Sequence, residues 1–198
     1  MKIALLKSAK LALLLSATIA QISCAQNTIE PYFPGLTEGI KASESCSNYQ
    51  TYSINLTENE GDQQFDVFQD KNCKDKKIYS LTLGIEASFA GIWKNFLVFD
   101  EGTDVNGHNL RMISITNREE VYILYFEGNA PQFEYDKLVY FAPSEQKATA
   151  NQCNPLGIDF EDLKESSAEV LIGQKIEFSI ETKKATPIKD QYTCYAAQ

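Results

Sequence analysis

The chain has little of what most enzyme sites need. Its 198 residues include two arginines, Arg111 and Arg118, and one histidine, His108, with no C-x-x-C pair. Two arginines leave few donors for forked recognition of phosphate or carboxylate groups. A nucleophilic triad needs a histidine base, but His108 stands in a turn and no G-x-S-x-G surrounds any serine. The sequence therefore leans against an enzyme, and it assigns no catalytic residue, metal site or cofactor.

The only long apolar run lies at the N-terminus. Three lysines precede an apolar core, Leu11 to Ile19, and small residues follow it. This order is that of a secretory signal peptide, and the core is too short to span a bilayer. Residues 1–25 are therefore predicted to be a signal peptide, and the mature protein is expected to be exported.

The end of this segment is compatible with more than one kind of processing. Ser23-Cys24-Ala25 has small residues at the positions that favour cleavage before Gln26, and an earlier cut before Gln21 is open. Gln21-Ile22-Ser23-Cys24 also resembles a bacterial lipoprotein box, in which Cys24 would be lipidated. Gln21 stands where that box has an aliphatic residue, which favours soluble release. The protein is thus expected to be periplasmic or secreted, or alternatively anchored to the envelope through Cys24.

The body of the chain is acidic. The whole sequence has 18 basic and 27 acidic residues, a net charge of −9. Loss of Lys2, Lys7 and Lys10 with the signal peptide leaves 15 basic residues against 27 acidic ones, a net charge of −12. Such a charge argues against nucleic acid and against anionic membrane surfaces as partners. It suits solubility or a cationic partner.

The mature chain is long enough for one domain. Residues 26–48 form a turn-rich leader, and 49–198 are predicted to be a single β-rich domain, because no linker or repeat divides them. Apolar residues occupy odd positions from Tyr79 to Trp93, the alternation of a strand with one buried face. At about 3.3 Å per residue this strand would be so long that it must bend or break, at Gly84 or Gly91.

The predicted fold class is mainly β, an antiparallel meander that forms a barrel or a strongly curled sheet. One helix is predicted at about 159–172, capped by Asp159 and ended by Gly173. Further strands are predicted at 49–56, 64–68, 96–99, 110–116, 121–127, 135–141 and 175–182.

Four cysteines beyond the signal peptide are predicted to form two disulfides, since the protein is exported: Cys46, Cys73, Cys153 and Cys194. Four cysteines allow three connectivities. If 49–58 pairs antiparallel with 63–72, partner positions sum to about 121, and Cys73 lies opposite Asn48. This register favours Cys46–Cys73 and leaves Cys153–Cys194.

Aromatic residues crowd the strands that follow residue 120. Both faces of 121–126 are apolar, which means burial on both sides, or one face against the core and the other lining a pocket or contact surface. The residues predicted to bind a ligand are Trp93, Tyr122, Tyr125, Phe126 and Tyr140.

Gly91-Ile92-Trp93-Lys94 resembles the G-x-W signature of lipocalin-like barrels. The run from Phe65 to Cys73, then Leu81-Thr-Leu-Gly84 and Phe89, is also similar to segments of extracellular lipocalin-like domains. The resemblance implies a small β-barrel whose relatives bind apolar ligands. The expected function is an exported, non-enzymatic binding protein for a small apolar molecule. The alternative is a protein-interaction module, such as an adhesin, inhibitor or accessory protein, with a packed core.

Overall fold

The computed structural model describes residues 33–69, 71–74, 76–104, 107–125 and 130–197. These residues form antiparallel sheets and two short helices, so the prediction of a mainly β protein is confirmed. The predicted signal peptide, Cys24 and Phe126 lie outside the described residues.

Three sheets follow one another along the chain, each with its strands in chain order. The N-terminal sheet contains β1 (Ile40–Lys41), β2 (Cys46–Asn48), β3 (Ser53–Asn59), β4 (Asp62–Phe68) and β5 (Lys77–Gly84). The middle sheet contains β6 (Ala87–Trp93), β7 (Phe96–Asp104), β8 (Gly107–Ser114) and β9 (Glu120–Tyr125). The C-terminal sheet contains β10 (Gln132–Phe133), β11 (Lys137–Lys147), β12 (Glu169–Ser179) and β13 (Lys184–Ala197).

The middle sheet is packed on both faces. One core cluster joins it to the N-terminal sheet, and a second joins it to the C-terminal sheet. Alternate residues of β7 show the division: Leu97 and Phe99 belong to the first cluster, whereas Phe96 and Val98 belong to the second. The sheets therefore form three layers with side chains filling both interfaces.

Each sheet ends in two edge strands within the part of the chain that the structure describes, and none closes into a barrel. The predicted barrel or strongly curled sheet is therefore not confirmed. The alternating run from Tyr79 to Trp93 is divided by a turn at Ile85 and Glu86, directly after Gly84, as expected. At Gly91 the register shifts, and its φ of 144° suits glycine.

The predicted disulfides are both present, as Cys46–Cys73 and Cys153–Cys194. The register that favoured them is also confirmed, since Ser53 lies opposite Phe68 and these positions sum to 121. The β3–β4 turn residues Glu60 and Gly61 both have positive φ, of 46° and 94°. This conformation matches the twist of a two-residue hairpin.

The prediction of a helix at 159–172 is correct at its start and wrong at its end. Helix α1 is Ala150–Cys153, and helix α2 is Phe160–Ser166 with the Asp159 carboxylate accepting from two backbone N–H groups. The Ser167 hydroxyl lies 3.0 Å from the Leu163 carbonyl and 2.8 Å from the Glu169 carbonyl, and its one hydrogen can be donated to either of them. Such side-chain bonds to the backbone compete with helix continuation. From Glu169 the chain is β12, because pairing with both β11 and β13 outweighs the helical pattern.

The described part of the leader is integrated into the fold. Phe33 and Leu36 are buried in the second core cluster, and Thr37 pairs with Ile92 of β6. Among the described residues, no helix has the length and apolarity to cross a membrane. Nor do any three histidine, cysteine or acidic side chains of this part lie close enough together to hold a metal ion.

Candidate interaction surface

Both arginines of the chain lie on the β8–β9 hairpin, and each guanidinium lies over a tyrosine ring. The Cζ of Arg111 is 5.5 Å from the ring centroid of Tyr122, and the Cζ of Arg118 is 5.1 Å from that of Tyr79. Both distances are within the range of cation–π attraction. The arginine–tyrosine face, as we name it, consists of Tyr79, Arg111, Arg118, Glu120, Tyr122 and Leu124.

Alternation along β9 leaves this face open. Ile123 and Tyr125 are buried in the cluster shared with the C-terminal sheet. Tyr122 and Leu124 point to the opposite side and are 57% and 49% exposed, because the N-terminal sheet does not extend over β9. Of the two arrangements that the sequence left open, one face of β9 thus packs on the core and the other is available for contact.

Arg111 is held by two carboxylates. Its Nε and Nη2 donate to the two oxygens of Glu120 at 3.1 and 3.0 Å, and Nη1 donates to Glu101 at 3.3 Å. The Tyr122 hydroxyl also donates to Glu120. The bonds from Arg111, followed by the bond from Tyr122, lower the pKa of the Glu120 carboxyl, so that it stays charged. The fixed side chains would lose little conformational entropy on binding.

Arg118 is positioned by the turn that joins β8 to β9. Its backbone has a φ of 61°, and its N–H donates to the Ser114 carbonyl at 2.9 Å. The neighbouring Glu119 forms an ion pair with Lys183, in the turn between β12 and β13. The C-terminal sheet therefore holds the turn that presents Arg118.

Tyr79 supplies the buried end of the face. It is 8% exposed, and its hydroxyl has no hydrogen-bond partner among the described residues. Burial raises the pKa of Tyr79 to about 12. A buried polar group without a partner is rare in folded proteins and destabilises them.

We expect Tyr79→Phe to raise the free energy of unfolding by about 1 kcal/mol, because it removes an unpaired buried hydroxyl. Tyr195→Phe is the control, since Tyr195 is also buried but its hydroxyl donates to the Ser144 carbonyl at 3.1 Å. That variant should lose about 1 kcal/mol. Urea unfolding measures both changes. An equal loss in the two variants would show that the Tyr79 hydroxyl has a partner.

Of the residues predicted to bind a ligand, the four that the structure describes do not line one cavity. Trp93, Tyr125 and Tyr140 are buried in the cluster between the middle and C-terminal sheets, and Tyr122 does not belong to this cluster. Tyr122 lies on the opposite side of β9, and Phe126 is outside the described residues. The role of Arg111 and Arg118 in this surface was not predicted from the sequence. The presence of both arginines in one hairpin of a lysine-rich chain could have indicated it.

His108 lies in β8 rather than in a free turn. Its Nδ1 is 3.1 Å from an oxygen of Asp100, which also accepts from the Tyr125 hydroxyl at 3.0 Å. The imidazole is thus oriented by a carboxylate at the edge of the core. This arrangement stabilises the end of the sheet interface and leaves the ring 18% exposed.

Comparisons with protein-family models, with curated proteins and with solved structures found no match to this chain. The resemblance to lipocalin-like domains therefore stays a prediction.

Proposed function

We propose that this protein is an exported, non-enzymatic interaction module that binds a basic protein partner through the arginine–tyrosine face. The observation that carries the proposal is the placement of both arginines over tyrosines beside the exposed Tyr122 and Leu124. Tyrosine and arginine are the residues that most often dominate the energy of protein interfaces. The apolar side chains next to them add area that water would leave on binding.

The packed interior favours this function over the first expectation, a small apolar ligand inside a barrel. Side chains fill both spaces between the sheets, and three of the predicted ligand-binding residues belong to that filling. The barrel and its ligand stay predictions.

Net charge indicates what kind of partner fits. The two arginines of the face are balanced by Glu101 and Glu120, which bond Arg111, so the charge of the whole chain decides. A mature chain with a net charge of −12 would repel a second copy of itself and attract a basic protein. The two disulfides are compatible with an oxidising compartment. We therefore place the encounter outside the cytoplasm, with the protein either free or tethered through Cys24. Nucleic acid is not expected as a partner, and a membrane is expected only if Cys24 is lipidated.

Site-specific photo-cross-linking in the cells that export the protein tests this surface. A photoreactive residue at Leu124 is expected to give a discrete adduct with one basic protein, because Leu124 lies within the proposed contact. The control is Ile85, which is 69% exposed and lies in the turn between β5 and β6, outside the proposed contact. Tyr122→Ser should lower the adduct yield about tenfold or more.

A second control tests whether the removal of any exposed aromatic side chain lowers the adduct yield. Tyr135 is 87% exposed at the turn between β10 and β11, and Tyr135→Ser should leave the adduct unchanged. Equal adducts from positions 85 and 124, or an adduct that Tyr122→Ser does not affect, would refute the proposed surface. An adduct between two copies of this chain would refute the basic partner.

A further inference from the structure

A groove with both polar and apolar lining borders the N-terminal sheet, away from Arg111, Tyr122 and Leu124. One depression of about 530 Å³ is lined by the turn after β2 and by the segment after β4. An adjoining depression of about 230 Å³ shares Gln50 and Lys71 with it and reaches the leader at Thr37 to Ile40. The amide groove, as we name it, is lined chiefly by Asn48, Gln50, Thr51, Tyr52, Gln69 and Lys71.

Covalent and hydrogen bonds hold the walls of the groove in place. Cys46–Cys73 joins β2 to the segment after β4. Next to it, the Asn72 N–H donates to the Asn48 side-chain oxygen at 2.8 Å, and the Asn48 amide donates back to the Asn72 side chain at 3.3 Å. The two walls are thus fixed before any ligand arrives, which lowers the entropy cost of binding.

The turn between the walls is equally well defined. The Tyr49 N–H donates to the Tyr52 carbonyl at 2.7 Å, and the Tyr52 N–H donates back at 3.2 Å, so Gln50 and Thr51 form the tip. The leader lies against the Tyr49 ring so closely that a Cβ added at Gly39 would be 2.6 Å from it. The Tyr49 ring therefore separates the leader from the turn formed by Gln50 and Thr51.

The side chains in the groove are free to bond a ligand. Those of Gln50, Thr51 and Gln69 make no hydrogen bond to another described residue. Each amide offers donors and an acceptor side by side, and the hydroxyl offers both as well. The partly buried Tyr52 adds a ring whose face can pack on a flat apolar surface.

We propose that the amide groove binds an oligosaccharide. Vicinal sugar hydroxyls need adjacent donors and acceptors, which amide side chains supply, and a pyranose ring has an apolar face that packs on tyrosine. A phosphorylated ligand fits less well, since Glu38 lines the groove together with Lys71 and no arginine does. In this groove, an extended peptide could pair only with the edge strand β1, which has 2 residues and would offer few main-chain hydrogen bonds. This site goes beyond the proposed function and does not depend on it.

Isothermal titration with hexasaccharides of glucose, N-acetylglucosamine and galacturonic acid tests the proposal. We expect the full mature chain to bind at least one of them with a Kd below about 1 mM. Gln50→Ala and Gln69→Ala should each weaken that binding about tenfold. Gln146→Ala, an exposed amide on β11, is the matched control and should leave the Kd unchanged.

Binding to none of the three hexasaccharides overturns the proposal, as does binding that Gln50→Ala and Gln69→Ala leave unchanged. Occupation of the groove by a pentapeptide library without saccharide binding would identify a peptide site and would overturn it too. Thermal unfolding of each variant shows whether it folds. Because Tyr122→Ser leaves the groove intact, loss of partner binding and loss of saccharide binding are separate results.

Discussion

Trp93→Ala should lower the free energy of unfolding by about 3–5 kcal/mol, the loss expected for a large aromatic side chain removed from a core. Trp93 is buried between the middle and C-terminal sheets, with its ring centroid 5.2 Å from that of Phe133. Its Nε1 donates to the Glu134 carbonyl at 2.7 Å. One substitution would therefore leave a cavity and an unpaired carbonyl at the contact between two layers.

Urea unfolding followed by circular dichroism is the appropriate measurement, because the variant lacks the only tryptophan. Tyr135→Ala, in the turn between β10 and β11, is the control, and its effect should stay within about 0.5 kcal/mol because its ring is exposed. Trp93→Phe should fall between the two, since it keeps part of the packing and loses the hydrogen bond. A loss below about 1 kcal/mol for Trp93→Ala would show that Trp93 is not part of a packed interface.

Replacing Cys153 and Cys194 together by alanine should cost roughly 4 kcal/mol of stability. The bridge spans 41 residues of sequence, and the cost follows from the chain entropy that such a loop restores to the unfolded state. Both cysteines are buried in a small cluster with Val170 and Ile172, so their removal also loosens the packing of α1 on β13. Thermal unfolding compares this variant with the unmodified protein.

The other bridge provides the control for this prediction. Cys46–Cys73 spans 27 residues, so its removal should cost slightly less by the same entropy argument. That removal should also weaken binding at the amide groove, whereas loss of Cys153–Cys194 should not. A change in stability below about 1 kcal/mol for either pair would mean that the bridge does not constrain the unfolded chain.

Local sequence patterns predicted the structure correctly where segments that are close in the chain contact each other. The β3–β4 register followed from one turn and one alternation, and the register then led to the disulfide pairing. The start of α2 followed from Asp159, whose side chain bonds the first turn within the helix itself. In each case the deciding contacts lie within a few residues or across a single hairpin.

Sequence patterns gave wrong predictions where contacts between segments far apart in the chain determine the secondary structure. Residues 169–172 have a helical distribution of apolar side chains, yet two partner strands hold them in β12. The edge strand β13 was not predicted, because its residues from Lys184 to Asp190 are largely polar. The alternation from Tyr79 to Trp93 looked like one strand because both β5 and β6 supply residues to the same cluster.

The arginine–tyrosine face could be predicted only in part. The apolar character of both sides of β9 was evident, and one side proved to be exposed. The stacking of Arg118 on Tyr79 joins β5 to a turn far along the chain, which no local pattern indicates. The sequence treated the scarcity of arginine as evidence against forked recognition. The structure instead shows both arginines used at one place.

The most direct measurement is the affinity of the mature chain for the basic protein cross-linked at position 124, with paired double variants. Tyr122→Ser with Leu124→Ser should raise the Kd about a hundredfold, because both changes remove buried contact area from the proposed interface. Tyr135→Ser with Ile85→Ser makes the same kind of change at exposed residues elsewhere and should leave the Kd within about twofold. Equal affinity of the two double variants would contradict the proposal that this face is the binding surface.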